Sequence, residues 1–390
     1  MTRLLIITTN FPRWEGDPHS PWLVELLRYL RQQGVTVDVL APAYAGLRSH
    51  RIEGMPVHRF RYAPARWETM THEEGAPNKI RKNPLYLFLL LPYLVSGLFA
   101  AWRLGRGDDY DVIHVHWPMP QGLLGLAARR GGGRLVATFY GADLVLTRRF
   151  RFLQPFLTRF VKQCDDVAAI SNFTAAELKR MTGLQPHVIP YGITVPVLDQ
   201  PPAAETGLIL TVGRLIARKG HTYLIEALPL LQKQPDVHLV IVGEGHERPA
   251  LEALINRLEL SGRVTLTGRV SDEALQEWYR RCQVFVLPAI VDDTGDTEML
   301  GMVLLEAMRY QKPVIATAVG GIADIVTHGE SGLLVPQRDP AALAKAIDDV
   351  LSHPALAERL SQAGYAAARS QFSWDYVLSE TWSLYGLPQV

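Results

Sequence analysis

The feature that most constrains this chain is a rhythm: short apolar, β-branched runs alternate with helical patterns along almost its whole length. Parallel strands need a crossover between them, usually a helix, so the alternation predicts an α/β fold with parallel sheets. In the first half the runs at 4–9, 35–41, 112–116, 135–139, 167–170 and 187–189 read as strands. In the second half the same holds for 208–212, 238–242, 264–267, 284–287, 314–317 and 333–335. Ser20 is read as the N-cap of the first helix, with Pro21 in its first turn. Ser271 and Asp339-Pro340 mark further helix starts. Between the halves, residues 196–206 (PVLDQPPAAET) are proline-rich and aperiodic, and read as a linker. The expectation is two Rossmann-like domains, 1–195 and 207–372. Such sheets bind ligands beyond the carboxyl ends of their strands, so two facing domains would share a central cleft.

Composition narrows the class. A chain of 390 residues is too long for one ordinary core, and 48% apolar with 20% charged residues describes a globular protein. A net charge of +1 gives no general reason to expect nucleic acid. Cys164 and Cys282 are far apart and lack metal-ligand spacing, which fits a reducing cytoplasm. The first apolar run is too short for a signal peptide. Residues 83–102 (NPLYLFLLLPYLVSGLFAAW) carry no charge and pass the length test for a membrane span, with Pro92 placed to kink them. The strands expected on either side belong to one sheet, which disfavours a span. A buried helix and a helix docked on a membrane surface both remain open.

Two segments point to chemistry. In DTEMLGMVLLEAM, Glu298 precedes Gly301 and an apolar helix at 302–310, whose first N–H groups are expected to converge near Glu298. A helix start of this kind suits an anion. Glu306 lies further along the helix, where a carboxylate can bond a sugar diol. In VGRLIARKG, after the strand 208–212, Gly213 is expected to let the backbone turn. Arg214 and Lys219 offer a guanidinium fork and a compact cation, both suited to phosphate. Phosphate flanked by diol-binding acids describes a nucleotide sugar. Asp292, Asp293, Asp296 and Glu298 raise a metal hypothesis, but no Asp-x-Asp pair or His/Cys cluster accompanies them. Residues 48–82 hold eight Lys/Arg against four acids, and 148–162 (RRFRFLQPFLTRFVK) hold five bases and no acid. The second stretch resembles a surface-lying amphipathic helix that meets anionic head groups or a lipid-linked acceptor. A solvated cationic face is the alternative.

GRLIARKG, VIVGEGHERPALEAL, TGRVSDEAL, VFVLPA and the E-x7-E segment follow one another over about residues 207–336. Together they resemble the C-terminal half of glycosyltransferase family 4, the retaining GT-B enzymes. FPRWEGDPHSPWL, HVHWPMPQG, the YGADL run and VIPYGI fit the N-terminal half more loosely. The resemblance implies a GT-B fold and a nucleoside-diphosphate-sugar donor, with UDP or GDP favoured. No metal and no further cofactor are implied. It places Arg214 and Lys219 on the diphosphate and Glu306 on the ribose. Glu298 with Met299, Leu300 and Gly301 falls on the transferred sugar, Gly268 and Val270 near the base, and Gly16 against the phosphates. It also implies that the tail 373–390 crosses back to the first domain.

Members of the family tend to have a His where this chain has Tyr140. His116, just after a strand, is read either as a hydrogen-bonding group near the reacting sugar or as a structural histidine. Tyr140 and Asp143 fall on the acceptor side, with capping of the following helix the alternative for Asp143. The acceptor is expected to be a sugar or lipid-linked molecule, in polysaccharide or glycolipid assembly on the inner face of the membrane or in the cytoplasm. A nucleotide-sugar epimerase and an impaired nucleotide-sugar-binding protein are the alternative functions.

Overall fold

The computed structural model describes residues 2–17, 19–72, 79–80, 82–129, 132–196, 198, 201–234 and 236–387. The chain forms two compact units, Met1–Pro190 together with Val377–Val390, and Tyr191–Tyr376.

The first unit is built on β1 (Arg3–Ile7), β2 (Thr36–Pro42), β3 (His50–Ile52), β4 (Met55–Phe60), β5 (Val112–His116), β6 (Arg134–Phe139), β7 (Asp166–Ala169) and β8 (His187–Val188). Their order in the sheet is β3-β4-β2-β1-β5-β6-β7-β8. Neighbours are parallel except for the β3–β4 hairpin. The strand runs read from the sequence recur here, and the hairpin is an addition to them. Its two-residue turn has positive φ at both Glu53 (49°) and Gly54 (77°), the type I′ geometry that matches strand twist. The hairpin escaped pattern reading because its core-facing positions include a charge. Arg59 is 7% exposed and donates to the carbonyls of Pro42, Phe11 and Pro12.

The helices here are α1 (Pro21–Gln32), α2 (Leu90–Gly107), α3 (Pro118–Ala128), α4 (Ala142–Arg149), α5 (Gln154–Val161) and α6 (Asn172–Thr182). Ser20 does not cap α1: it sits in the left-handed region (φ 53°), and its side chain makes no capping bond. Pro21 begins the helix with a fixed φ and no N–H to satisfy. The uncharged segment 83–102 opens with a 3-10 turn, Pro84–Leu89, whose cap Asn83 accepts from the Leu85 N–H. Pro92 falls in the first turn of α2, not its middle, so the expected kink has no cause there. Tyr93, Gly97, Ala101, Leu104 and Gly105 form the buried side of α2. The strands before and after it, β4 and β5, share one sheet, so no bilayer separates them. Residues 148–162 are not one helix but the end of α4, a 3-10 turn at Arg151–Leu153, and α5.

The second unit contains β9 (Leu208–Val212), β10 (His238–Val242), β11 (Val264–Gly268), β12 (Val284–Leu287), β13 (Val314–Thr317) and β14 (Leu333–Val335). All pair in parallel, in the order β11-β10-β9-β12-β13-β14. β9 and β12 are buried throughout, which is why they read as unbroken apolar runs. Its helices are α7 (His221–Ala227), α8 (Arg248–Arg257), α9 (Asp272–Arg281), α10 (Met302–Met308), α11 (Pro340–Ser352) and α12 (Pro354–Gln371); α13 (Trp374–Tyr385) follows. Ser271 and Asp339 cap α9 and α11, accepting from Ala274 and Ala342. The segment read as a linker is fastened along the second unit. Ile193 N–H donates to the Phe372 carbonyl, the Tyr365 hydroxyl donates to the Pro196 carbonyl, and Leu198 N–H donates to that hydroxyl. Residues 197, 199 and 200 of that stretch, and 73–78 and 81 of the basic stretch 48–82, lie outside the described residues.

The end of α13 completes the first unit. Tyr385 is 1% exposed and its hydroxyl lies 2.9 Å from His114 Nδ1 on β5. The other ring nitrogen of His114 meets Thr138 Oγ1 on β6 at 2.7 Å.

α2 and α3 touch so closely that a Cβ on Gly105 would stand 2.0 Å from the Ala128 carbonyl oxygen. Gly105→Ala must push the two helices apart and is expected to cost about 2–4 kcal/mol. Chemical denaturation measures this directly; an unchanged midpoint would show that the contact is looser than described.

Candidate active site

In the second domain the strand order reverses between β9 and β12. Ligands of doubly wound sheets bind at such a reversal, beyond the carboxyl ends. The loop after β9 carries Arg214 and then a single helical turn, Ala217–Lys219. The loop after β12 carries Asp296 and Glu298. Lys219 Nζ donates to Glu298 Oε2 at 2.5 Å, and Arg218 donates to the same oxygen at 3.1 Å. Arg218 Nε also lies 3.3 Å from Asp296 Oδ2. The Lys219 and Glu298 side chains are only 9% and 13% exposed, so the pair is held largely out of water. Burial alone would push the Glu298 carboxyl up, but Lys219 and Arg218 outweigh it and hold the group below the ordinary glutamate range. The Arg214 carbonyl accepts from the Ile216 N–H, while its guanidinium makes no hydrogen bond or ion pair among the described residues. Burial and the neighbouring Arg218 lower its pKa, against the pull of Asp296 and Glu298. Three cations facing two carboxylates leave the crevice positive.

Gly213 stands at a bend directly after β9, as expected, where a Cβ would lie 3.2 Å from the Lys219 stem; the left-handed conformation of the loop belongs to Gly220 (φ 65°). Glu298 lies beside the start of α10, its Cγ 3.7 Å from where a Cβ on Gly301 would stand, and its carboxylate is taken by Lys219 and Arg218. Its backbone is held by Gly321 N–H, which donates to the Glu298 carbonyl. Gly320 makes this approach possible, since a Cβ there would lie 1.8 Å from that carbonyl oxygen. The acids that raised a metal hypothesis are engaged separately. Asp292 accepts from Thr294 and the Asp296 N–H, Asp293 pairs with Arg338 at 3.5 Å, and Asp296 and Glu298 face Arg218 and Lys219. No group of His, Cys, Asp and Glu fit to hold a metal occurs among the described residues.

α10 is shorter than expected, ending at Met308, and follows Gly301 (φ 101°). Leu300 is buried and Met299 half-buried just before it. Glu306 on α10 accepts a 2.6 Å hydrogen bond from the buried Tyr279 hydroxyl on α9. Gly268 ends β11 and Val270 follows it, two strands away from β9.

The first domain has its own reversal, between β1 and β5. Gly16, in the loop after β1, has φ 80° and open space where a Cβ would go. His116 ends β5 at 1% exposure, with Nδ1 hydrogen-bonded to the Tyr140 hydroxyl. Burial, reinforced by His114, holds its pKa well below the ordinary histidine value, so the ring is neutral. Nε2 of His116 has no partner among the described residues. Tyr140 packs 4.4 Å from Trp117 and 5.3 Å from Trp22, ring centre to ring centre. Its hydroxyl is hydrogen-bonded to His116. Asp143 does not cap α4; Gly141 stands at that position. Asp143 is 4% exposed, and Oδ1 accepts from the adjacent Leu144 N–H while Oδ2 is unpartnered.

The family profile described as Glycosyl transferases group 1 matches residues 199–367, and that of Glycosyltransferase Family 4 matches 22–195. The phosphatidyl-myo-inositol mannosyltransferase of Mycobacterium tuberculosis is 30% identical over 389 residues, covering 93% of this chain and 91% of that protein. The chain belongs to the family 4 glycosyltransferases. A second relative is the GDP-mannose-dependent alpha-(1-6)-phosphatidylinositol monomannoside mannosyltransferase of Mycolicibacterium smegmatis. It is 28% identical, over 80% of this chain and 86% of its own. Among solved structures, sucrose-phosphate synthase from Thermosynechococcus elongatus aligns with a TM-score of 0.76 at 24% identity, over 99% and 98% of the two chains. The fold of this glycosyltransferase is GT-B.

Sequence reasoning overlooked Arg218, Tyr279 and the two tryptophans. Arg218 stood inside the basic loop, next to Lys219, and was passed over as one base among several. Tyr279 gave no local signal, because its partner Glu306 is 27 residues away.

Burial raises the Asp143 pKa to about 7. Between about pH 4 and 7 the folded enzyme therefore keeps a proton that the unfolded chain has released, so stability falls as pH rises through that window. Asp143→Asn is expected to gain on the order of 4 kcal/mol near pH 8 and nothing near pH 4. Thermal melts of both proteins across that range check the sign; an equal gain at both pH values would refute it.

Proposed function

We propose that this glycosyltransferase moves a hexose from a nucleoside-diphosphate sugar to an acceptor hydroxyl, with retention at the anomeric carbon. The observation behind the donor assignment is the positive crevice of the second domain, in which the Arg214 guanidinium stands unpaired beside the buried Lys219–Glu298–Arg218 cluster. A diphosphate there satisfies Arg214 with a bidentate pair and adds to the charge facing Lys219. As the sugar–oxygen bond breaks, negative charge grows on the departing diphosphate, where fixed cations in a dry site stabilise it most. Adjacent strands are about 4.8 Å apart, so Gly268 and Val270 lie about 10 Å from β9, a nucleoside's length. That spacing suits the base. Glu306, its Oε2 held by Tyr279, is the ribose ligand in this reading, and Glu298 with residues 299–301 faces the hexose.

GDP and UDP are the leading donors, GDP-mannose first because the two mycobacterial relatives are mannosyltransferases and one is named as GDP-mannose-dependent. The acceptor is a sugar or a lipid-linked molecule on the side of His116, Tyr140 and Asp143. His116 Nε2 is the free nitrogen there, and Tyr140 positions its ring. In this reading no metal or further cofactor takes part. The enzyme works in the cytoplasm.

A thermal-shift screen with GDP-, UDP- and ADP-sugars tests the donor class, with NAD as control. One nucleotide sugar is expected to stabilise the enzyme selectively; a shift with NAD alone would overturn the assignment. Arg214→Ala is expected to lower turnover about 10²–10³-fold with little loss of stability, because the guanidinium makes no hydrogen bond inside the protein and its attraction to Asp296 and Glu298 is offset by burial and by Arg218. Lys219→Ala also loses activity, but it strips a buried carboxylate of its main counter-charge and is expected to cost about 3 kcal/mol as well. Adding Glu298→Gln should restore stability without activity. Wild-type turnover in Arg214→Ala would place the diphosphate elsewhere.

A further inference from the structure

α2 turns its unburied side outward, and that side is apolar along its length. Phe88, Leu91, Val95, Phe99 and Trp102 recur at spacings of three and four and are 78%, 70%, 58%, 61% and 38% exposed. Leu85 and Leu87 extend the patch. The stripe runs into Arg106, whose guanidinium lies 4.8 Å over the Trp102 ring. No acidic residue occurs between positions 79 and 107. The turn between α4 and α5 has the same character, with exposed Phe150 and Phe152 set among Arg148, Arg149 and Arg151.

Both segments lie in the helix layer that contains α3. Gly105 on α2 meets Ala128 at the end of α3, and Gly122 of α3 meets the Phe160 ring of α5. α2 ends at Gly107, shortly before β5 begins at Val112, so its C-terminus lies at the amino edge of the sheet. Its 18 residues rise about 27 Å, which brings its start to the carboxyl edge. A hydrogen bond confirms the placement: Gln121, just beyond His116 on α3, donates to the Tyr93 hydroxyl in the first turn of α2. The most exposed residues of the stripe, Phe88 in the turn before α2 and Leu91 in its first turn, therefore flank the edge that carries His116, Tyr140 and Asp143.

We propose that this face seats the first domain on an anionic phospholipid surface, and that the acceptor hydroxyl belongs to a lipid head group in that surface. The second clause rests on the acceptor reading given above; the first does not. An apolar stripe of this length is unusual on a monomer. Its tryptophan and terminal arginine suit the membrane interface, and its acid-free flanks complement negative lipid. A second copy of the chain would instead bring two cationic flanks together. A span is ruled out by the continuity of β4 and β5 in one sheet.

The test is co-sedimentation with vesicles of phosphatidylcholine alone and with about 30% phosphatidylglycerol. Wild type is expected to pellet with the anionic vesicles and to release in high salt. A triple variant, Phe88→Ser, Leu91→Ser and Phe99→Ser, is expected to lose at least about tenfold in vesicle affinity while keeping its circular dichroism, its melting temperature and its nucleotide-sugar thermal shift. Charge reversal at Arg149 and Arg151 should weaken binding to anionic vesicles only. Equal binding by the triple variant, or no binding by wild type, overturns the proposal. So does a wild-type dimer in solution that the triple variant converts to monomer, since the stripe would then be a self-interface. Vesicle binding without any nucleotide-sugar shift would sink the donor reading and leave the docking surface standing.

Discussion

The arrangement of the second domain turns on one buried ion pair. Lys219 and Glu298 come from loops 79 residues apart in sequence, and their contact fixes where both loops run. Removing either charge leaves the other stranded in a poorly hydrated site, which is why such pairs are fragile to single changes though their net contribution is small. Glu298 meanwhile lets Lys219 remain buried as a cation, held ready for an anion. The adjacent Arg214 is the part of the cluster left open. The crevice thus combines a closed pair that sets geometry with a guanidinium left without a hydrogen-bond partner.

Both sheets use the same device to create a crevice. In each, the chain builds outward from a central strand, returns, and builds out on the other side. The two central strands then end side by side while their following loops diverge. In the second domain those loops carry opposite charges that pair. In the first they carry Gly16 on one side and His116 and Trp117 on the other, with Tyr140 and Trp22 packed behind. Trp117 occupies the left-handed region (φ 53°), uncommon for so large a residue. The surrounding rings fix it there.

Periodicity made the central strands legible because parallel, doubly covered strands are apolar at every position. The β3–β4 hairpin was not legible: its turn is Glu-Gly, and the inward Arg59 disguises the core face. The basic loop and the E-x7-E segment marked out the cation–carboxylate crevice of the second domain, since both segments end up in it. Their mutual geometry was hidden. Nothing in the sequence says that the Glu298 carboxylate faces Lys219, or that Tyr279 holds Glu306. Those bonds depend on strand order, which periodicity does not encode. Ser20 shows the opposite failure, a local cap signal overridden by the backbone path into Pro21. For α2, composition gave the apolar character, but only packing shows which residues form the outward stripe.

The His114–Tyr385 hydrogen bond spans 271 residues of sequence, and it has a consequence for biosynthesis. The first domain is discontinuous: the whole second domain is translated between its sheet and the helix segment that covers β5 and β6. Until Tyr385 emerges from the ribosome, His114 Nδ1 lacks its partner and the adjoining apolar surface stays uncovered. The first domain must therefore wait in an incomplete state while its neighbour is made. That makes the nascent chain, more than the finished enzyme, the form most in need of chaperones.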